Sequence, residues 1–212
     1  LENAETVLNV GAGAGNYEPT DRSVTAVEPS AEMIAQRPPH LGPAVQASVD
    51  RLPFEDKSFD ASMAILTIHH WPDKAKGLAE IRRVTRGPIV LLTFDPSHRG
   101  CWLTDYLPEL VALDEGQMPV MEDYARWMGP VTVSPVPVPH DCSDGFLYAY
   151  WRRPRAYLDP RIRKGMSSFW KIEGADAALE RLADELASGA WDAKYGDLMG
   201  LEEIDTGYRL VV

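Results

Sequence analysis

An apolar run that breaks into a loop with glycine at every second position, VLNVGAGAGNY at residues 7–17, constrains this chain more than any other stretch. Val7 to Val10 reads as a short buried strand, and VTAVE, Val24 to Glu28, as a second. Gly11, Gly13 and Gly15 follow the first strand directly, where a loop without Cβ atoms lets the backbone approach a ligand and take positive φ. Only NYEPTDRS separates that loop from the second strand, and Pro19 limits any helix there to about one turn. Glu28 stands 17 residues beyond Gly11 at a strand end, where a carboxylate can accept hydrogen bonds from both hydroxyls of a ribose. Glycine turns and strand-end acids each also occur for purely structural reasons; their pairing is what favours a nucleoside ligand.

Nicotinamide dinucleotides and S-adenosylmethionine share that ribose, and the phosphate separates them. A pyrophosphate is best held at the N-terminus of a proper helix. The curtailed crossover and the GxGxG spacing, with Asn16 in place of a further glycine, favour a ligand without one.

Val45 to Ser48 reads as a third strand, Phe59 to Ile68 (FDASMAILTI) as a central strand buried on both faces, and Pro88 to Phe94 as a fifth. Ser30 is placed to cap a short helix through Ala31 to Gln36, ended by Pro38 and Pro39. Asp73 is placed to cap a longer helix with Ala75, Leu78 and Ile81 on one face and Gly87 as its C′ residue. This alternation is the pattern of a parallel sheet with crossover helices. It stops after Asp95, and 14 of the 19 aromatic residues lie beyond position 97. There VTVSPVPVPH (131–140) allows only an edge strand or an extended stretch, and FLYAYWRRP fits helix or strand equally. Asp159 followed by Pro160 marks a helix start; Leu179, Leu182 and Leu186 mark an amphipathic helix closed by Gly189; Tyr208 to Val212 reads as a last strand.

With 212 residues the chain suits one sizeable domain, and a net charge of −11 disfavours nucleic acid as the main substrate. The clearest basic patch, Arg152, Arg153 and Arg155, is by default a solvated face. Cys101 and Cys142 lack the spacing of a zinc or redox pair, which suits a reduced, cytoplasmic setting and predicts no metal. No apolar stretch approaches the roughly 20 residues of a membrane span, so no membrane partner is expected. The chain opens at Leu1 rather than Met, which leaves room for a preceding segment.

Taken in order, VLNVGAGAGNYEP, VTAVEPSAEMI, LPFEDKSFDASMAILTIHHWPD and LAEIRRV resemble the class I S-adenosylmethionine-dependent methyltransferases, in particular the small-molecule branch with a quinone-methylase-like core. The resemblance spans residues 5–96 and implies an α/β, Rossmann-like, mostly parallel seven-stranded sheet with a C-terminal elaboration. It implies one methyltransferase domain over 1–212, with a cofactor-binding core at 1–96, a substrate-side region at 97–205 and a final strand at 206–212. It places Gly11, Ala12 and Gly13 against the methionine part of S-adenosylmethionine, Glu28 on the ribose, and Met33 with Pro29 on the adenine, with Asn16 and Tyr17 completing the cofactor set. Ser48 stands where the family commonly has an Asp accepting from the adenine amino group, and Val49 offers its backbone N–H to the ring. Asn9 replaces the usual Asp before the glycines, leaving an amide where the methionine amino group is oriented. Leu66 and Thr67 fall where the family places the methyl group.

His69, in the HHW that follows the central strand, and His98, after the fifth, are candidate general bases, since imidazole titrates near neutral pH. Both also suit packing roles, as do Trp102 and Tyr106, and Phe146, Tyr148, Tyr150 and Trp151, which are either the substrate wall or the core of the elaboration. In-line methyl displacement at an activated carbon can run on alignment and desolvation, so a base is optional. The expected partner is a small-molecule methyl acceptor. Two alternatives stay open: a non-catalytic cofactor-binding or regulatory module, motivated by Asn9 and Ser48, and a nicotinamide-dependent oxidoreductase.

Overall fold

A computed structural model describes Leu1 and residues 3–212. In chain order its elements are β1 (Thr6–Val10), β2 (Ser23–Val27), α1 (Ala31–Ala35), β3 (Ala44–Val45), β4 (Ala61–Ile65), α2 (Lys74–Val84), β5 (Ile89–Phe94), α3 (Leu103–Tyr106), α4 (Glu109–Gln117), α5 (Met121–Met128), β6 (Val133–Pro135), β7 (Val138–Pro139), α6 (Pro160–Lys164), α7 (Ala175–Ser188), α8 (Ala190–Tyr195), β8 (Glu203–Ile204) and β9 (Tyr208–Val211). The chain divides into two compact units. One comprises Leu1–Asp95, Pro119–Ser134 and Arg209–Val212, the other Pro96–Met118 and Pro135–Tyr208. Pro119–Ser134, which the sequence places inside the 97–205 block, thus returns to the first unit.

The first unit carries a seven-stranded sheet in the order β3-β2-β1-β4-β5-β9-β6. Pairing is parallel from β3 through β5. Beyond β9 the edge is antiparallel, because Thr132 and Val212 exchange both backbone hydrogen bonds, at 2.8 and 3.0 Å. This is the mostly parallel α/β sheet that the sequence implied. Its centre is the most apolar: Ala61, Met63 and Ala64 of β4 are buried, with Val7 of β1 packed on Ala61 and Met63. The one polar side chain at the middle of β4, Ser62, is satisfied by Thr85 Oγ1 at 2.5 Å. Between β1 and β2 there is no helix, as Pro19 and the short connection require.

Several boundaries differ from the sequence reading. The central strand ends at Ile65 rather than Ile68, because the chain turns sharply at Leu66 and continues as a short 3-10 turn over Ile68–His70. Asp73 caps α2 by accepting from Lys76 N at 2.9 Å, as expected, but the helix stops at Val84. Gly87 is therefore not its C′ residue; a Cβ there would stand 2.4 Å from the Asp60 carbonyl, so glycine serves close backbone approach.

The second unit is built on aromatic side chains. Trp102 meets Tyr106, Tyr157 and Trp191 edge to face at 5.7, 5.5 and 5.3 Å between centroids, and donates its indole N–H to the Trp151 carbonyl at 2.7 Å. Trp102 and Tyr106 are thus core residues, as are Tyr148 and Trp151. FLYAYWRRP is neither helix nor strand but a run of turns. Side chains replace the ladder as partners of its backbone: Tyr157 Oη donates to Leu147 O at 2.8 Å and Arg153 Nη2 to Ala149 O at 3.0 Å, while Trp151 Nε1 reaches Val138 O at 2.9 Å. The prolines of 131–140 place β6 at a sheet edge and β7 in a separate two-stranded antiparallel pair with β8. In α7, Leu179, Leu182 and Leu186 are buried and Gly189 ends the helix in the left-handed conformation.

Asp114, on α4, is buried, and Gln117 Nε2 donates to its Oδ1 over a long 3.4 Å. Burial pushes its carboxyl up to about 6. A carboxyl raised in the folded state lends stability below its unfolded pKa and loses it as pH rises through the folded one. On the order of 2–3 kcal/mol should therefore disappear between pH 4 and 6. Asp114→Asn should raise the thermal midpoint above pH 7 and flatten this part of the curve; an unchanged profile would refute the assignment.

Candidate functional site

Parallel pairing brings the carboxyl ends of β1, β2 and β4 to the same edge of the sheet, and the strand order reverses there between β1 and β4. Crevices for ligands open at such switch points. A cavity of about 460 Å³ lies here, within the usual range for small-molecule sites. Its walls are Val10, Gly11 and Gly13 after β1, Val27 to Ser30 after β2 with Met33 of α1, Ala47 to Val49, and Leu66, Thr67, His70, Trp71 and Pro72 after β4.

Glu28 is the charged group of this wall and is buried. Its Oε2 accepts from Gly13 N and its Oε1 from Ser30 N, each at 2.9 Å. Each oxygen retains further acceptor capacity, so two adjacent hydroxyls can be taken without breaking either bond. Ser30 in turn caps α1, accepting from Met33 N at 3.2 Å. That cap sets Met33, whose thioether side chain is 37% exposed beside Gly13 and offers an apolar surface to a flat ring.

The opposite wall depends on one close approach. Gly11 has φ +69°, and a Cβ on it would fall 2.1 Å from Thr67 Oγ1. Thr67 follows Leu66, a non-glycine residue at φ 51°, whose N–H donates to Leu92 O of β5 at 2.9 Å. Left-handed residues other than glycine are strained and cluster at ligand sites.

The two positions where the family pattern carries Asp show a shared arrangement. Ser48 donates its hydroxyl to Asp50, and this bond holds the Asp50 carboxyl below its ordinary value. Ser48 lines the cavity, and with its hydroxyl proton committed to that carboxylate its Oγ keeps acceptor capacity. Asn9 is buried and donates Nδ2 to Glu18 Oε1 at 3.2 Å. Glu18 is itself paired with Arg37 through 2.8 and 2.9 Å bonds, both side chains being almost wholly buried. Behind each neutral residue stands a carboxylate.

A family model described as a methyltransferase domain matches residues 8–88. Over its whole length the chain is 36% identical to a protein of known structure from Anabaena variabilis, assigned as a methyltransferase from an antibiotic biosynthesis pathway; it covers 91% of that chain with a TM-score of 0.91. The chain belongs to the S-adenosylmethionine-dependent methyltransferases. Curated relatives include a rice chloroplastic 2-methyl-6-phytyl-1,4-hydroquinone methyltransferase, 28% identical over 57% of this chain and 36% of that protein. Another is a ubiquinone/menaquinone biosynthesis C-methyltransferase of Citrifermentans bemidjiense, 32% identical over 44% of this chain and 47% of that one. The chain therefore spans less than half the length of these curated relatives. The nicotinamide-dependent alternative is set aside by this membership.

Of the residues singled out in this methyltransferase from sequence, Gly11, Gly13, Glu28, Pro29, Met33, Ser48, Val49, Leu66 and Thr67 line the cavity. Ala12, Asn16 and Tyr17 are not among its lining residues, and Asn9 stands behind the wall. His70 lines it rather than His69; the two rings are tilted by 48° with centroids 3.9 Å apart. His98 lies in the second unit, its Nε2 3.1 Å from the Asp205 carbonyl. Trp71 and Pro72 belong to the HHWPD stretch but carried no sequence signal of their own. The supporting acids Glu18 and Asp50 were invisible to motif reading, because what matters is their contact with Asn9 and Ser48. Among the described residues no helix is long and apolar enough to cross a membrane.

Gly11→Ala should destabilise the fold by about 1–3 kcal/mol, from overlap with Thr67 and strain at positive φ, and should abolish cofactor binding; a variant with native midpoint and affinity would contradict the close approach. Asn9→Asp places a second carboxylate against Glu18. Its thermal midpoint should fall below wild type at pH 8 and recover toward pH 5, because facing carboxylates raise each other's proton affinity and share a proton as acid increases.

Proposed function

We propose that this methyltransferase moves a methyl group from S-adenosylmethionine to a small organic acceptor, with the cofactor held in the cavity at the carboxyl ends of β1, β2 and β4. The observation that carries the reading is the buried Glu28 carboxylate, fixed by two backbone N–H groups and open to the cavity. Glu28 binds the ribose hydroxyls, Met33 and Pro29 pack on the adenine face, and Ser48 Oγ accepts from the adenine amino group while Val49 N–H serves the ring. Gly11 and Gly13 admit the methionine portion against bare backbone.

S-adenosylmethionine, when bound, would supply a methyl carbon activated by its sulfonium, open to in-line attack by the acceptor's electron pair, with the carbon–sulfur pair leaving on the thioether sulfur of S-adenosylhomocysteine. The chain's part is alignment and exclusion of water, for which Leu66, Thr67 and Trp71 provide the wall. A base is needed only for an acceptor that must lose a proton. His70 is then the candidate at the cavity, with its neighbour His69 and His98 as alternatives. Two relatives are named for hydroquinone and quinone methylation and the full-length neighbour for antibiotic biosynthesis, which supports a small organic acceptor and makes a hydroquinone the first to test.

Calorimetry with S-adenosylhomocysteine should give saturable binding, and Glu28→Ala should weaken it about 30-fold or more through loss of two charge-assisted hydrogen bonds. Absence of heat with both S-adenosylmethionine and S-adenosylhomocysteine from folded protein would overturn the assignment. Methyl transfer from labelled cofactor to hydroquinones, read by mass spectrometry, tests the acceptor class separately.

A further inference from the structure

Charge in this chain is segregated. Seven of its 21 lysines and arginines fall within residues 152–171, beside a single acid, Asp159, although the whole chain carries −11. The segment lies in the second unit and folds as a 3-10 turn over Pro154–Leu158, then α6, then a second 3-10 turn over Ser167–Trp170, both turns packing on α6. Buried Met166 and the Phe169 ring, which lies 6.4 Å from that of Tyr157, fix the second turn to the unit's core. At its end Trp170 is left 68% exposed, far more than any other large apolar side chain among the described residues, with Lys171 next to it in sequence.

We propose that this face docks on an anionic lipid bilayer surface, with Trp170 entering the headgroup layer and the basic side chains meeting lipid phosphates. An indole has an apolar body and a polar N–H, and basic side chains reach outward on apolar stems, a combination suited to the membrane interface. A nucleic-acid backbone fits this surface less well. Arg152 and Arg153 donate to the carbonyls of Leu201 and Cys142, and Arg163 to that of Tyr157. The exposed cations are Arg155, Arg161, Lys164 and Lys171; Arg155 donates to the Leu186 carbonyl, Arg161 pairs with Asp159 and Lys171 Nζ donates to Gln117 Oε1, so they are fewer than the run of phosphate contacts that polynucleotide binding uses. The docking is independent of which acceptor the enzyme methylates.

Co-sedimentation with vesicles of phosphatidylcholine, with and without one-third phosphatidylglycerol, tests the proposal on the whole chain without substrate. Binding should require phosphatidylglycerol and fall with added salt. Each lost cation should cost about fivefold in affinity, so Lys164→Glu combined with Lys171→Glu should weaken binding about 25-fold or more. Both side chains are exposed, and an unchanged thermal midpoint verifies the fold. Brominated lipid should quench tryptophan emission of the wild type and not that of Trp170→Ser. Indifference to phosphatidylglycerol, equal binding by the charge-reversed variant, quenching that survives Trp170→Ser, or tighter binding to duplex DNA than to vesicles would each overturn it.

Discussion

The carboxylate of Glu28 joins the glycine loop after β1, 15 residues earlier in the chain, to the end of β2 and the start of α1. It accepts from Gly13 N and from the N–H of Ser30, the N-cap residue of α1. Buried without those donors, an ionised carboxyl would be strongly disfavoured. With them it holds the glycine loop open. The loop can only accept this link because β1 and β2 are in parallel register, Val10 opposite Val27, which places Gly11 and Glu28 side by side. Gly11 N and Ala12 N both donate to Val27 O, at 2.8 and 3.0 Å, so the same strand end fixes the loop from its other side. Sheet register, loop shape and ligand-facing charge are therefore one constraint.

At both places where the residue type departs from the family pattern, the negative charge has moved back by one side chain. Ser48 leans on Asp50, and Asn9 on Glu18, with Arg37 beyond. A hydroxyl whose proton is committed to a carboxylate has only acceptor capacity left, the polarity an acid would have at that position. At Asn9 electrostatics acts as well. Glu18 is buried and already balanced by Arg37, and an acid at position 9 would add a charge that this pair does not neutralise. The departures that invited a non-catalytic reading are in this structure changes of address for the charge.

Legibility from sequence tracked how local the determining physics was. The first strand and the caps Ser30 and Asp73 are set by neighbours within a few residues, and they stand in the structure as read. Gly87 looked like a helix terminator because its partner, the Asp60 carbonyl, lies on a different element. FLYAYWRRP defeated periodicity for a related reason. Its backbone is satisfied partly by isolated turns, Ala149 N to Phe146 O and Arg153 N to Tyr150 O, and partly by the side chains of Tyr157 and Arg153, so neither a period of two nor one of 3.6 is imposed on it. Similarly, choosing between His69 and His70 required the turn at Leu66, which no pattern announces: adjacent residues on a 3-10 turn face different ways, and only the backbone decides which one meets the cavity.

That turn also bears on how little side-chain chemistry the site needs. Leu66 could continue β4 without strain, yet it takes a left-handed conformation that costs a non-glycine residue about 1–3 kcal/mol. Two contacts hold it there: its own N–H on Leu92 O, and Thr67 seated against Gly11, where no larger residue fits. The consequence is a wall whose position is fixed by backbone on both sides, β5 behind and the glycine loop in front. For a displacement whose rate depends on the line through three atoms, such fixity does what a well-placed acid or base does in other chemistries. It accords with a cavity that carries one buried carboxylate, Glu28, and otherwise mostly apolar or neutral surface, with the exposed His70 imidazole on its lining.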